Sequence, residues 1–95
     1  MFGMVGRMRA APGKRGELLA ILSRGARTMP GCIHYIVSED MGDADGIWIT
    51  EVWDSEESHK ASLQLPEVRS AIANGRPLIA SFDTSARIRP VSGVF

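Results

Sequence analysis

The run Glu51-Val52-Trp53-Asp54-Ser55-Glu56-Glu57-Ser58-His59 brings a carboxylate, an indole and an imidazole close together in the chain. Glu51 and Trp53 are two positions apart, so on a strand they share a face, with Ile47 and Ile49 beside them. A carboxylate in such apolar company must find partners or give up its charge, and either condition suits a general base. The competing role for Glu51 is a plain ion pair with an arginine. Trp53 can wall a flat aromatic ligand and offer one N–H donor, or fill the core beneath a helix. His59 can move a proton near neutral pH or hydrogen-bond a phenolic oxygen, or else lie exposed on its helix. His34 and Tyr35 point to opposite faces of one strand, so at most one reaches the same cavity. Arg69 and Arg76 can hold an anion, a role that competes with ordinary surface charge.

Other chemistries have no foothold. Cys, His and carboxylates show no metal-ligand spacing, the glycines form no phosphate loop, and no nucleophile–base–acid set can be read. Cys32 is the only cysteine, which rules out an intramolecular disulfide. Eleven Lys and Arg balance eleven Asp and Glu, so the charge pattern offers no footprint for nucleic acid. No apolar run approaches the roughly 20 residues of a membrane span, and the first residues lack the order of a signal peptide. The expected location is the cytoplasm.

The elements that must position these residues follow from changes of period. The chain has 95 residues, 44% of them hydrophobic and 23% charged, which fits one globular domain over 1–95. Phe2 to Arg9 reads as a strand, closed by Pro12-Gly13. From Lys14 to Met29 the apolar positions Leu18, Leu22, Gly25, Ala26 and Met29 mark one helix face, with Arg15, Ser23, Arg24 and Arg27 free to face water. Pro30-Gly31 ends that helix. Cys32 to Glu39 and Ile47 to Trp53 read as a hairpin. Asp54 or Ser55 can cap a helix running to about Gln64, with Glu57 placed as in a capping box. Pro66 opens a further helix to Asn74, ended by Gly75. Leu78 to Ser81 reads as a short helical turn, and Phe82 to Arg89 as the last strand, with Pro90 confining it to an edge or end position.

The order is β-α-β-β-α-β, an α+β, ferredoxin-like fold with a four-stranded antiparallel sheet. Helices cover one face of such a sheet, yet Trp48, Thr50 and Val52 make the other face of the third strand largely apolar as well. A chain this short buries only roughly 60–65% of its unfolded surface, so a second copy is the expected cover, giving a homodimer.

Gly31-Cys32, Tyr35, the run from Glu51 to Glu57, His59-x-Ala61-Ser62-Leu63-Gln64-Leu65-Pro66 and Gly75-Arg76-Pro77-Leu78-Ile79 together resemble the antibiotic-biosynthesis monooxygenase (ABM) domain family. The resemblance spans nearly the whole chain and lies in the order and spacing of these pieces. It implies a dimeric α+β barrel. It further implies oxygenation of a quinol or polycyclic aromatic phenol by molecular oxygen, with no flavin, haem or metal in the simplest members and thus no cofactor. His59 and Glu51, with Trp53, become the catalytic candidates; Trp53, Ile49, Tyr35, Leu63 and Arg76 become the substrate-binding candidates. His59 occupies a place where the family's best-known antibiotic hydroxylase carries tyrosine. Ile49 stands where such hydroxylases carry asparagine, which leaves open a non-catalytic dimeric module that binds a small aromatic molecule. Gly6 and Leu63 replace an asparagine and a haem-binding histidine of haem-degrading members, so haem degradation is not expected.

Overall fold

The computed structural model describes residues 1–25 and 29–95. Its elements are β1 (Phe2–Ala10), α1 (Arg15–Gly25), β2 (Cys32–Glu39), β3 (Gly46–Trp53), α2 (Glu56–Ser62), α3 (Pro66–Gly75) and β4 (Ile79–Ile88). The strands form one antiparallel sheet in the order β2-β3-β1-β4, which is the ferredoxin-like arrangement. The register sets Phe2 opposite Trp53, Met4 opposite Glu51 and Met8 opposite Ile47, so these residues share the helix-covered face. Leu18 of α1 and Ile47 of β3 are fully buried there, packed with Met8 and Ala10. α3 crosses α1 closely: a Cβ on Gly75 would lie 3.2 Å from Cδ1 of Leu18.

Turn chemistry explains most boundaries. Gly31 has φ 82°, a left-handed conformation that suits glycine, and a Cβ there would sit 2.7 Å from that of Ser58. The cap of α2 is Ser55, whose hydroxyl accepts the Ser58 N–H at 3.2 Å; Glu56 and Glu57 occupy the positive end of the helix. The Asp54–Glu57 capping box is therefore replaced by a Ser55–Ser58 contact. α2 ends at Ser62, short of Gln64, because the N–H groups of Leu63, Gln64 and Leu65 turn to carbonyls three residues back and Leu65 is extended ahead of Pro66.

Three expectations change. The short helical turn falls on Arg76–Leu78, not Leu78–Ser81, since Pro77 suits the first positions of a tight turn and Ile79 already pairs with Ala10. β4 consequently starts three residues earlier than Phe82. A bulge at Asp83 lets Thr84 pair with Arg7 and Phe82 with Met8, which turns Phe82 to the helix side and Asp83 toward Arg7. Arg15 does not face water. Its guanidinium donates to the carbonyls of Asp43 and Asp40 at 2.9 and 3.3 Å and to Glu39 at 2.8 Å, which ties α1 to the loop after β2. The continuation of α1 through Ala26 and Arg27 lies outside the described residues.

The face away from the helices is polar at one end and apolar at the other. At the polar end Arg7 donates to Asp40 at 3.1 Å and Asp43 at 2.7 Å and also pairs with Asp83, while the Trp48 indole N–H bonds Asp40 at 3.0 Å. The Asp45 backbone N–H, then Arg7, hold the Asp43 carboxyl down at about 2. At the other end Ile36 and Ile88 are 50% and 41% exposed, and Phe95 lies over His34 with ring centroids 6.0 Å apart.

Candidate active site

Between the sheet and the helices lies a cavity of about 420 Å³, within the size range of small-molecule sites. Its floor carries Tyr35, Ile49, Glu51 and Trp53 from β2 and β3, and its helical wall carries His59, Leu63 and Ile72. The turn at Ser55 folds α2 back over β3, which is why residues six apart in sequence meet here. Glu51, Trp53 and His59 form one cluster. The Trp53 indole N–H donates to Glu51 Oε1 at 3.0 Å, and His59 Nε2 lies 3.9 Å from the same oxygen. The His59 ring meets the Trp53 ring edge-on, with centroids 5.5 Å apart at 70°. Glu51 and His59 side chains are each 16% exposed, so both are reachable from the cavity yet largely withdrawn from water.

Glu51 thus has an indole and an imidazole as neighbours, and no arginine pairs with it among the described residues. Trp53 belongs both to the cavity wall and to the core beneath α2. It borders the cavity but is 0% exposed, and its single donor is committed to Glu51. A buried indole N–H requires a partner, and the nearest strand neighbour on the same face supplies it. Trp53 therefore holds the carboxylate rather than presenting a free donor to a ligand.

Tyr35 stands opposite Glu51 in the β2–β3 register, while His34 points to the other face. Burial, and then the charge of Glu51, push the Tyr35 hydroxyl up to about 12. Near neutral pH it is a neutral phenol, able to donate a hydrogen bond but not to act as a base. Burial likewise raises the Cys32 thiol, with Glu51 adding to the effect. Leu63 and Arg76 both border the cavity from exposed positions. Arg76 has no ion-pair partner among the described residues. Arg69 does not border the cavity.

Phe2 and Phe82 escaped the sequence reading. Phe2 packs on His59 with ring centroids 5.6 Å apart, and Phe82, 72% exposed, borders the opening. The pairing of β1 with β3 and the bulge in β4 place them, and neither is encoded in local pattern. Among the described residues no group of three or more His, Cys, Asp or Glu is arranged to hold a metal ion, and no helix is long and apolar enough to cross a membrane.

A family model for antibiotic biosynthesis monooxygenases matches residues 1–74. The chain belongs to this family. At 58% identity it is similar to a protein of Chloroflexus aurantiacus J-10-fl, provisionally named an antibiotic biosynthesis monooxygenase. That crystal structure superposes with a TM-score of 0.97, covering 99% of this chain and 96% of the other. A Deinococcus radiodurans protein with the same provisional name is 25% identical, with a TM-score of 0.82 over 100% of this chain and 97% of the other. A Nitrosomonas europaea structure is only 8% identical, and its TM-score of 0.89 over 97% of this chain and 100% of the other speaks for the fold alone. No curated protein matches the sequence. In this ABM-family chain Glu51, Trp53 and His59 all border the cavity.

Proposed function

We propose that this ABM-family chain is a cofactor-independent monooxygenase acting on a quinol or polycyclic aromatic phenol. The observation that carries the reading is a carboxylate anchored through one oxygen at the floor of a mostly apolar cavity. With Oε1 of Glu51 engaged by Trp53 and faced by His59, Oε2 is left for a ligand. Ile49, Leu63, Ile72 and Phe82 give flat apolar contact for aromatic rings. Glu51 takes the proton from the bound substrate, and the Tyr35 phenol donates to the oxygen on which negative charge gathers. The electron-rich anion then reacts with oxygen. One oxygen atom enters the product, the other leaves as water with the two displaced hydrogens, and the substrate supplies all the electrons.

The apolar end of the outer sheet face supports a homodimer, in which a second copy covers Ile36 and Ile88. Light scattering at micromolar concentration is expected to give twice the chain mass; a clean monomer contradicts this part of the reading.

Ile49 favours a second reading, a dimeric module that binds a small aromatic molecule without oxygen chemistry, because it puts a side chain with no donor beside Glu51. Oxygen uptake with a panel of quinols and anthrones separates the two. Accelerated uptake with at least one member is expected of the monooxygenase. Binding with uptake no faster than in buffer across the panel assigns the chain to the binding module.

A further inference from the structure

The imidazole of His59 is held by rings alone. Among the described residues neither of its ring nitrogens makes a hydrogen bond, yet Nε2 faces Glu51 Oε1. Two contacts set that orientation: the edge of Trp53 on one side and the ring of Phe2, tilted 39° at 5.6 Å, on the other. Phe2 is itself clamped. The Arg87 guanidinium lies over its ring at 5.7 Å from the centroid and pairs with Glu56, one helical turn before His59 on α2. β1, β4 and α2 thereby converge on one imidazole.

We propose that Phe2 is a positioning residue. Packed on His59 and clamped by Arg87, it keeps Nε2 turned to Glu51 Oε1, so that the free Oε2 of the carboxylate stays directed at the substrate. The inference rests on the monooxygenase reading for its kinetic consequence, whereas the ring orientation itself does not. A side chain that only fills space at position 2 can be replaced by leucine, but one that orients an imidazole through a flat ring can be replaced only by another aromatic.

The test therefore compares Phe2→Leu and Phe2→Tyr with the unaltered protein by two readouts. In ligand-free protein, proton NMR is expected to give a nuclear Overhauser contact between the His59 ring and the Trp53 indole, lost in Phe2→Leu and kept in Phe2→Tyr. The Trp48 indole, bonded to Asp40 on the other face, serves as internal reference for an intact fold. In turnover, Phe2→Leu is expected to lower kcat roughly 10–100-fold with KM unchanged, since small misplacements of catalytic groups cost up to about that factor. Arg87→Met, an exposed change, is expected to weaken the same contact. Retention of the His59–Trp53 contact in Phe2→Leu overturns the proposal whatever the rate does. Loss of the contact in a protein that consumes no oxygen with any substrate supports the role of Phe2 and sinks the monooxygenase reading instead.

Discussion

Glu51→Gln is expected to lower oxygen-dependent turnover by about 10²–10⁴-fold while leaving ligand affinity within a few-fold of the unaltered protein, the loss typical of removing a general base. Glutamine has nearly the shape of glutamate, and its carbonyl oxygen can still accept the Trp53 N–H that Oε1 accepts at 3.0 Å. The fold therefore has no reason to change, and what disappears is the capacity to take a proton. Each tenfold loss corresponds to about 1.4 kcal/mol of transition-state stabilisation. Steady-state oxygen consumption gives the rate, and fluorescence titration of the ligand gives the affinity. A Glu51→Gln protein that turns over at the original rate removes Glu51 from the mechanism.

Trp53→Ala is expected to be the most destabilising single change near the site, costing about 3–5 kcal/mol. Trp53 is 0% exposed and lies between β3 and α2, so truncation leaves a large void bordered by His59 and Glu51. For a domain whose total stability is typically about 5–15 kcal/mol, that loss removes a large share. Trp53→Phe separates packing from positioning. It keeps most of the apolar volume but deletes the N–H, and so frees Glu51 Oε1. Thermal unfolding should place Trp53→Phe well above Trp53→Ala, whereas turnover should fall in both. If Trp53→Phe retains full turnover, the indole–carboxylate bond has no catalytic consequence.

The sequence made the order of elements legible because proline and glycine mark the changes of period at Pro12-Gly13 and Pro30-Gly31. The pairing of Glu51 with Trp53 was equally legible, since two-residue spacing on a strand admits one geometry, and the turn at Ser55 was enough to bring His59 to the strand end. What local pattern could not reveal depends on contacts between distant segments. Phe2 reaches His59 because β1 pairs with β3 in a register that sets Phe2 opposite Trp53. Phe82 turns to the cavity because one residue bulges in β4. Arg15 turns inward because the loop after β2 offers it the carbonyls of Asp40 and Asp43 beside the Glu39 carboxylate, a set of acceptors that comes together only once the hairpin exists. The full burial of Trp53 has the same origin: whether an aromatic residue at a strand end walls a cavity or closes it depends on where α2 comes to rest.

In the proposed reaction Glu51, anchored by Trp53 and faced by His59, activates an aromatic substrate toward oxygen. The most direct measurement follows turnover of a quinol or anthrone under ¹⁸O₂, comparing the unaltered protein with Glu51→Gln and analysing the product by mass spectrometry. One labelled oxygen atom in the product is expected for each oxygen molecule consumed by the unaltered protein, and label at the level of buffer alone for Glu51→Gln, although both proteins bind the substrate. Tight binding by the unaltered protein with no label above the buffer control, or equal labelling by the two proteins, contradicts it.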